Sequence, residues 1–309
     1  MVKVLIGTGG WSYFNVPGDR LRAYASAFKT VEVNSTYYRV PPLSTVERWR
    51  KRVPDDFEFT VRCNQELIPK LLAEPVSSSL RLHDEMRKIC SVLDAKIMHV
   101  QVPSGFVLND ANLSKIEDFL PRIDTSNPSM AWEIRSPLNE EKDSMLRILQ
   151  RHSIIHCVDL SREAPSTVNN VVYSRLFGKG EHNIYQFTNT ELKEIAEKVR
   201  NSAASRAYLN FHGTRMYKDA ARISIYEATG IFPKVTSGIG ISSVLEVLEE
   251  DARFPSTTSE LIASQGWKVC EWDAGQQLRL SEILSGTEEK RFASITDLEL
   301  ELKHRIHFS

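Results

Sequence analysis

Polar residues recur in pairs at alternate positions near the ends of short apolar runs between Met1 and Gly213. Alternate residues of a strand point to the same face, so each pair would share one face of its strand. The set comprises Glu32 and Asn34, Thr60 and Arg62, His99 and Gln101, Glu133 and Arg135, Asp159, Tyr173 and Arg175, and Asn210 and His212. Carboxylates can act as general acids or bases, and arginine forks bind phosphate and carboxylate groups.

The chain has eight β-rich runs, and the last seven carry these polar residues. They lie at 3–9, 30–36, 57–63, 96–103, 130–136, 155–161, 170–178 and 206–213. Amphipathic stretches with helical spacing lie between them, and such alternation favours parallel β-α units. Eight units predict an α/β fold, a TIM-type (β/α)8 barrel of about 250 residues. An open doubly wound sheet is the alternative, although the glycines that follow the first run lack the Gly-x-Gly-x-x-Gly spacing.

Residues 223–309 break this alternation, since they read as two helices, a strand and a last helix. We therefore predict a barrel domain at 1–222 and a C-terminal α+β extension at 223–309. The extension holds 8 Lys and Arg against 14 Asp and Glu, while the predicted barrel domain holds the other 31 basic and 26 acidic residues. A net charge of −6 on the extension disfavours phosphate-backbone binding there.

The overall composition is that of a soluble globular protein, with 41% hydrophobic and 26% charged residues. No run approaches the roughly 18 to 20 apolar residues of a membrane span. Gly7 comes too early for a signal-peptide core, so we expect a cytoplasmic protein with no membrane partner. The four cysteines are far apart, which predicts buried free thiols and neither structural zinc nor disulfides.

In a barrel the polar pairs would meet at the carboxyl ends of the strands, where active sites lie. The predicted catalytic residues are Glu32, Glu133, Asp159 and His212. The predicted ligand-binding residues are Trp11, Tyr13, Asn34, Tyr37, Arg62, Gln101, Arg135, Arg175 and Asn210. The structural alternative is a satisfied polar plug, in which Glu133 pairs with Arg135 or Arg175 and Asp159 pairs with Arg62. His99 lies lower in its strand and is expected only to pack.

Several of these segments resemble the YecE-like family, a domain of unknown function. The resemblance rests on Ile6-Gly7-Thr8-Gly9-Gly10-Trp11-Ser12-Tyr13, Thr30-Val31-Glu32-Val33-Asn34-Ser35-Thr36-Tyr37-Tyr38-Arg39, Trp49-Arg50, Phe57-Glu58-Phe59-Thr60-Val61-Arg62, Val100-Gln101-Val102-Pro103 and Trp132-Glu133-Ile134-Arg135. It covers roughly residues 1 to 215 and implies a TIM-type barrel with no settled reaction. The chain departs from the family pattern at Arg62, where many relatives have lysine, and in its long extension.

Three arginines at strand ends favour an anionic or phosphorylated ligand, with nucleic acid as one candidate. The leading hypothesis is a hydrolase or lyase, endonuclease- or glycosylase-like on nucleic acid, with Glu133 or Asp159 as general acid or base. The common barrel-glycosidase arrangement is absent, because Gln101 and Arg175 occupy the ends of strands four and seven, but another carboxylate pair keeps a glycosidase-like hydrolase open. Glu32, Glu133, Asp159 and His212 could hold one divalent metal ion. The remaining alternatives are a non-catalytic ligand-binding barrel and an interaction protein whose acidic extension docks a partner.

Overall fold

The computed structural model describes residues 2–105, 107–135, 140–166 and 170–307, without the side chains of residues 140, 141, 306 and 307. The predicted ends of the fifth strand at Ser136 and of the extension at Ser309 lie outside these ranges. The chain divides into two compact units. The first comprises the residues up to Leu176 together with Ile195–His212 and Met216–Ala221, and the second comprises Phe177–Glu194, Gly213–Arg215 and the residues from Arg222 onward.

Strands and helices alternate from Lys3 to Thr229. The strands are β1 Lys3–Thr8, β2 Thr30–Val33, β3 Glu58–Arg62, β4 Ile97–Val102, β5 Ser129–Ile134, β6 Ile155–Cys157, β7 Val171–Leu176 and β8 Arg206–Phe211. The helices are α1 Arg20–Ala27, α2 Leu43–Arg50, α3 Leu67–Ala73, α4 Val76–Leu93, α5 Asp110–Phe119, α6 Glu140–Arg151, α7 Asn189–Arg200 and α8 Met216–Thr229. Short 3₁₀ helices follow β2 at Asn34–Tyr37 and α5 at Leu120–Arg122. The predicted alternating α/β architecture is confirmed.

The eight strands form two parallel sheets. One has the order β1-β8-β7 and the other the order β2-β3-β4-β5-β6. A single parallel bridge, Val158 to Ser174, lies between the ends of β6 and β7, and no ladder pairs β1 with β2 in the described part of the chain. β1 and β2 nevertheless approach closely, since a Cβ on Gly7 would lie 2.1 Å from the Thr30 carbonyl oxygen. The prediction of one closed sheet is therefore not confirmed.

One face of these strands is apolar at its amino half and polar at its carboxyl half. The apolar layer is one cluster of buried side chains from six strands: Leu5, Ile97, Ala131, Ile155, Cys157, Tyr173 and Tyr208. Two residues further along the strands, the side chains on the same face are polar: His99, Glu133, Arg175 and Asn210. Because side chains alternate along a strand, the sequence pattern correctly identified which residues share this face.

The second unit has its own core. Its elements are α9 Ile241–Glu249, β9 Ser256–Thr257, α10 Thr258–Gln265, β10 Val269–Asp273, β11 Gln276–Arg279, α11 Leu280–Leu284, β12 Arg291–Phe292 and α12 Ile295–His307. β10 pairs with β11 and β9 with β12, both antiparallel. The core is made of Val244, Val247, Leu248, Leu261, Cys270, Leu280, Ile283, Leu284, Phe292, Leu298 and Leu302. The predicted boundary at 222/223 lies at the start of the last segment of this unit. That residues 223–309 form a separate domain stays a prediction.

Lys268 is fully buried in the second unit. Its Nζ donates to the Val247 carbonyl oxygen at 3.0 Å and lies 2.5 Å from Asp251 Oδ1 and 3.3 Å from Glu250 Oε2. A buried ammonium needs such partners to offset its loss of hydration. We therefore assign Lys268 a structural role.

No helix in the described part of the chain is long and apolar enough to cross a membrane. All four cysteines are buried free thiols, as predicted: Cys63, Cys90, Cys157 and Cys270. Burial raises the pKa of the Cys63 thiol to about 12, so it stays protonated at neutral pH.

Candidate functional site

Arg175 lies between two carboxylates that come from distant parts of the chain. Its Nε and Nη2 lie 3.2 and 3.1 Å from Glu32 Oε1, and its Nη1 donates to Glu133 Oε2 at 2.6 Å. Arg135 Nε donates to the other oxygen of Glu133 at 2.6 Å. Glu32 is fully buried, and 13% of the Glu133 side chain is exposed. We call Glu32, Glu133 and Arg175 the Arg175 cluster.

Four further side chains surround the Arg175 cluster. Tyr173 donates its hydroxyl to Glu32 Oε2 at 2.7 Å, and Thr60 Oγ1 lies 2.9 Å from that hydroxyl. His212 Nε2 lies 3.3 Å from Glu32 Oε1, and His99 Nε2 lies 3.2 Å from Glu133 Oε2. The residue at position 9 must be small, because a Cβ there would lie 2.1 Å from the His212 ring.

The ionisation of the Arg175 cluster follows from burial and from the charge of Arg175. Burial by itself would raise the pKa of Glu32 and of Glu133, but Arg175 foremost, with the nearby histidines, holds both pKa values well below the ordinary value of 4.5. Burial, reinforced by Arg175, lowers the pKa of His212 to about 4 and also lowers that of His99. At neutral pH the carboxylates are therefore ionised and both imidazoles are neutral.

Arg62 has different partners. Its Nη1 donates to Asn34 Oδ1 at 2.6 Å, and its Nη2 donates to Gln101 Oε1. Its guanidinium carbon lies 3.5 Å from the centre of the Tyr37 ring, and Gln101 Nε2 donates to the Tyr37 hydroxyl at 3.4 Å. We call Asn34, Tyr37, Arg62 and Gln101 the Arg62 cluster. It lies at the carboxyl ends of β2, β3 and β4.

The charge of Arg62 has no direct counter-ion. Only 6% of the residue is exposed, and no carboxylate among the described residues lies within ion-pair distance of it. Its Nε is buried and has no hydrogen-bond partner in the part of the chain that the structure describes. Burial, reinforced by Arg175, lowers the pKa of Arg62, which reflects the cost of holding this charge out of water.

The other predicted site residues have separate surroundings. Asp159 follows the short strand β6 and accepts from the backbone N and hydroxyl of Ser161 at 2.9 and 2.6 Å. Arg162, rather than the predicted partner Arg62, lies 3.8 Å from it. The Trp11 ring packs edge-on against Trp49 at 5.4 Å, while 83% of Tyr13 is exposed.

Asn210 is the predicted ligand-binding residue with the most unusual environment. It is fully buried on β8, in register with Arg175 on β7, and both polar atoms of its amide lack a hydrogen-bond partner among the described residues. Buried polar atoms are almost always paired, so this amide has unused capacity for a ligand group or a buried water.

Comparison with known proteins assigns the chain to a family. A family model described as "Protein of unknown function DUF72" matches residues 5–226. The chain belongs to the DUF72 family. This confirms the resemblance drawn from the sequence, because the matched range contains every segment on which that resemblance rests.

Individual relatives are distant. The UPF0759 protein YunF of Bacillus subtilis (strain 168) is 30% identical over 69 residues, which are 20% of this chain and 24% of that protein. Crystal structures of DUF72 family proteins from Enterococcus faecalis V583 and Thermotoga maritima MSB8 match with TM-scores of 0.59 and 0.58 and identities of 18% and 19%. They cover 75% and 73% of this chain and 99% of each solved chain. These likenesses show the fold.

Sequence reasoning about this DUF72 protein underrated His99. The imidazole was expected only to pack, but it lies between Glu133 and Glu32, whose Oε2 is 4.0 Å from His99 Nδ1. The alternation of side chains along β4 could have identified it, because His99 precedes Gln101 by two residues and so lies on the same face. The imidazole stacks on the Tyr173 ring at 5.8 Å, which fixes its orientation.

A metal ion fits the described residues poorly. The set with ligand atoms close together is His99, Glu133 and Cys157, all within 4.8 Å of one another, and not the four residues predicted to hold a divalent ion. Both oxygens of Glu133 already accept hydrogen bonds from arginines. Burial, reinforced by Glu133, raises the pKa of the Cys157 thiol well above its ordinary value, which disfavours the thiolate that a metal requires.

Proposed function

We propose that this DUF72 protein binds an anionic ligand at the carboxyl ends of its parallel strands and acts on it as a hydrolase or lyase. The observation that carries the proposal is Arg62, a buried guanidinium held by two neutral amides with no direct carboxylate partner among the described residues. A phosphate or carboxylate group would supply the missing charge, and such charge-assisted hydrogen bonds are stronger than neutral ones.

The proposal includes a barrel arrangement of the two sheets. Its support is the single bridge between β6 and β7, the close approach of Gly7 to Thr30, and the contact of Glu32 on β2 with Arg175 on β7. In a (β/α)8 barrel, ligands bind at the carboxyl ends of the strands, where both arginine clusters lie.

Glu133 is the proposed general base. It is ionised at neutral pH and partly exposed, and it lies in register with Gln101 of the Arg62 cluster on the neighbouring strand. Arg62 is on β3, so a ligand held by Arg62 and Gln101 would extend over β3 and β4 to the strand next to this carboxylate on β5. Glu32 and Arg175 fix the position of Glu133. Asp159 is less suited to the role, because it lies two residues beyond the end of β6, in contact with Ser161 and Arg162.

A non-catalytic ligand-binding protein is the second candidate. The observation in its favour is that Arg175 and Arg135 both bond to Glu133 and hold its pKa well below 4.5. A general base works best when its pKa lies near the operating pH, so Glu133 is a weak base before a ligand binds. An anion at Arg62 would raise the pKa of Glu133 by adding negative charge nearby.

Turnover assays separate the two candidates. The full chain would be screened against phosphomonoesters, phosphodiesters, single-stranded DNA and RNA, N-glycosides and glycosides, with and without divalent metal ions. We expect Glu133→Gln to lower activity about 10²- to 10⁴-fold, the usual contribution of general acid–base catalysis. Glu117→Gln is the matched control, since Glu117 is exposed and pairs with Arg151.

If anionic compounds shift the Tm but no compound in the panel is turned over, the protein is a ligand-binding protein and not a hydrolase or lyase. Activity that survives Glu133→Gln would remove Glu133 from the mechanism. Absence of any Arg62-dependent anion binding would overturn the proposed function as a whole.

A further inference from the structure

We propose that Asn34, Arg62 and Gln101 form a subsite for a phosphoryl group. This inference rests on the proposed function and names the chemistry of the anion. Its support comes from the orientation of the two amides, the placement of the donors on three strands and the missing counter-charge.

The guanidinium of Arg62 fixes which way both amides point. Arginine has only donors, so the Asn34 and Gln101 atoms that face it are their oxygens, Oδ1 and Oε1. The amide nitrogens are therefore not bound to Arg62 and are left to donate to other groups. One hydrogen of Gln101 Nε2 goes to the Tyr37 hydroxyl, and among the described residues Asn34 Nδ2 has no hydrogen-bond acceptor. The cluster thus presents N–H donors and no charged acceptor.

These donors come from three neighbouring strands. Asn34 directly follows β2, Arg62 ends β3, and Gln101 is on β4. A carboxylate is matched by the planar fork of a single guanidinium, whereas these donors belong to three side chains on three strands. A phosphoryl group has three terminal oxygens that diverge in space, so it can accept from three donors on three strands. Asn34 and Gln101 are both partly exposed, which leaves the subsite accessible.

Arg62 also brings an unpaired positive charge to the site. No carboxylate among the described residues lies within ion-pair distance of it, whereas Arg175 faces Glu32 and Glu133. A phosphoryl group brings one to two negative charges at neutral pH, which matches or slightly exceeds the one unpaired cation. The Tyr37 ring beneath the guanidinium holds Arg62 in place, because cation–π contact favours this stacking.

The test uses inorganic phosphate as the probe and compares it with acetate. Binding to the full chain would be measured by calorimetric titration and by the shift in Tm. Asn34→Asp places a carboxylate where Oδ1 now lies 2.6 Å from Arg62 Nη1, which supplies the counter-ion internally. We expect it to raise the Tm of the unliganded protein and to weaken phosphate binding at least tenfold.

Two further variants keep the test decisive. Gln101→Glu makes the same change on the other side of Arg62 and should also weaken phosphate binding. Asn201→Asp is the matched control, because Asn201 is exposed and the substitution adds the same charge elsewhere. It should bind phosphate like the wild type.

The outcomes distinguish this inference from the proposed function. Acetate binding as tightly as phosphate, with both lost in Asn34→Asp, would overturn the phosphoryl subsite and leave anion binding at Arg62 intact. Phosphate binding that survives in both Asn34→Asp and Gln101→Glu would place the anion elsewhere and overturn the subsite. If neither anion binds the wild type, both the subsite and the proposed function fail.

Discussion

Two arginines at the carboxyl ends of the parallel strands have opposite partners. Arg175 is held by the carboxylates of Glu32 and Glu133, whereas Arg62 is held by the amide oxygens of Asn34 and Gln101. Both guanidiniums are buried, so the difference lies in compensation and not in exposure. A compensated buried charge contributes to the fold, while an uncompensated one is costly until an anion binds. The comparison separates a part of the site that stabilises the fold from the part that we propose binds the anion.

Removal of Arg175 should have the largest effect on stability. Arg175→Met leaves two buried carboxylates without their main counter-ion, and breaking a buried pair in this way costs about 3–5 kcal/mol. Urea denaturation would measure the loss in the free energy of unfolding. Arg151→Met is the control, since Arg151 pairs with Glu117 in solvent and such pairs contribute about 1 kcal/mol at most. Equal losses for the two variants would contradict the structural role of the Arg175 cluster.

Lowering the pH should have the next largest effect on stability. The folded protein keeps His212 neutral down to a pKa of about 4, whereas the unfolded chain takes up that proton near 6.5. The unfolded state therefore binds more protons between these values, so His212 alone lowers stability by up to about 1.4 kcal/mol per pH unit as pH drops from about 6.5 to 4. His83, His99 and His156, whose pKa values burial also lowers, add to this loss. The lowered pKa values of Glu32 and Glu133 add a further loss below about 4.5, since their ionised forms stabilise the folded state.

Urea denaturation at several pH values between 8 and 4 would test this. The variant His212→Asn should reduce the slope between 6.5 and 4 and leave the loss below 4.5. A free energy of unfolding that stays constant down to pH 4 would show that these groups are not buried as described.

Removal of Arg62 should have the smallest effect on stability. Arg62→Met gives up hydrogen bonds to Asn34 and Gln101 but also removes a buried charge, and both amides are partly exposed and can bind water. We expect the free energy of unfolding to change by about 1 kcal/mol or less, because these terms oppose each other. Anion binding should nevertheless be lost. A destabilisation as large as that of Arg175→Met would remove the distinction between the two arginines.

The sequence predicted the strands and the parity of their polar residues well. Alternation depends on local geometry alone, so Glu32, Glu133, Arg175 and His212 could be assigned to one face without a structure. Pairing of Glu133 with Arg135 or Arg175 was the structural alternative, and the structure contains both contacts. The family resemblance was also correct, since the DUF72 model matches residues 5–226.

Other features could not be read from local pattern. β6 spans only Ile155–Cys157, so Asp159 lies beyond the strand that was predicted to carry it and binds Ser161 in a turn. Pairing between strands depends on their separation in space, and no sequence signal showed that β1 and β2 would lack a ladder. The partner of Asp159 was wrong for the same reason, since Arg162 is a neighbour in the chain and Arg62 is bound elsewhere.

What the sequence by itself determined is which side chains share a face and at which end of the strands the polar ones gather. Only the tertiary structure decided which arginine received the carboxylates. Arg175 meets Glu32 from 143 residues away and Glu133 from 42 residues away, while Arg62 meets two amides. All these residues have the same parity at similar depths in their strands, so local rules treat them alike. The order and spacing of the strands determine which of these residues form ion pairs, because ion pairing depends on distances of a few ångströms that only the folded chain defines.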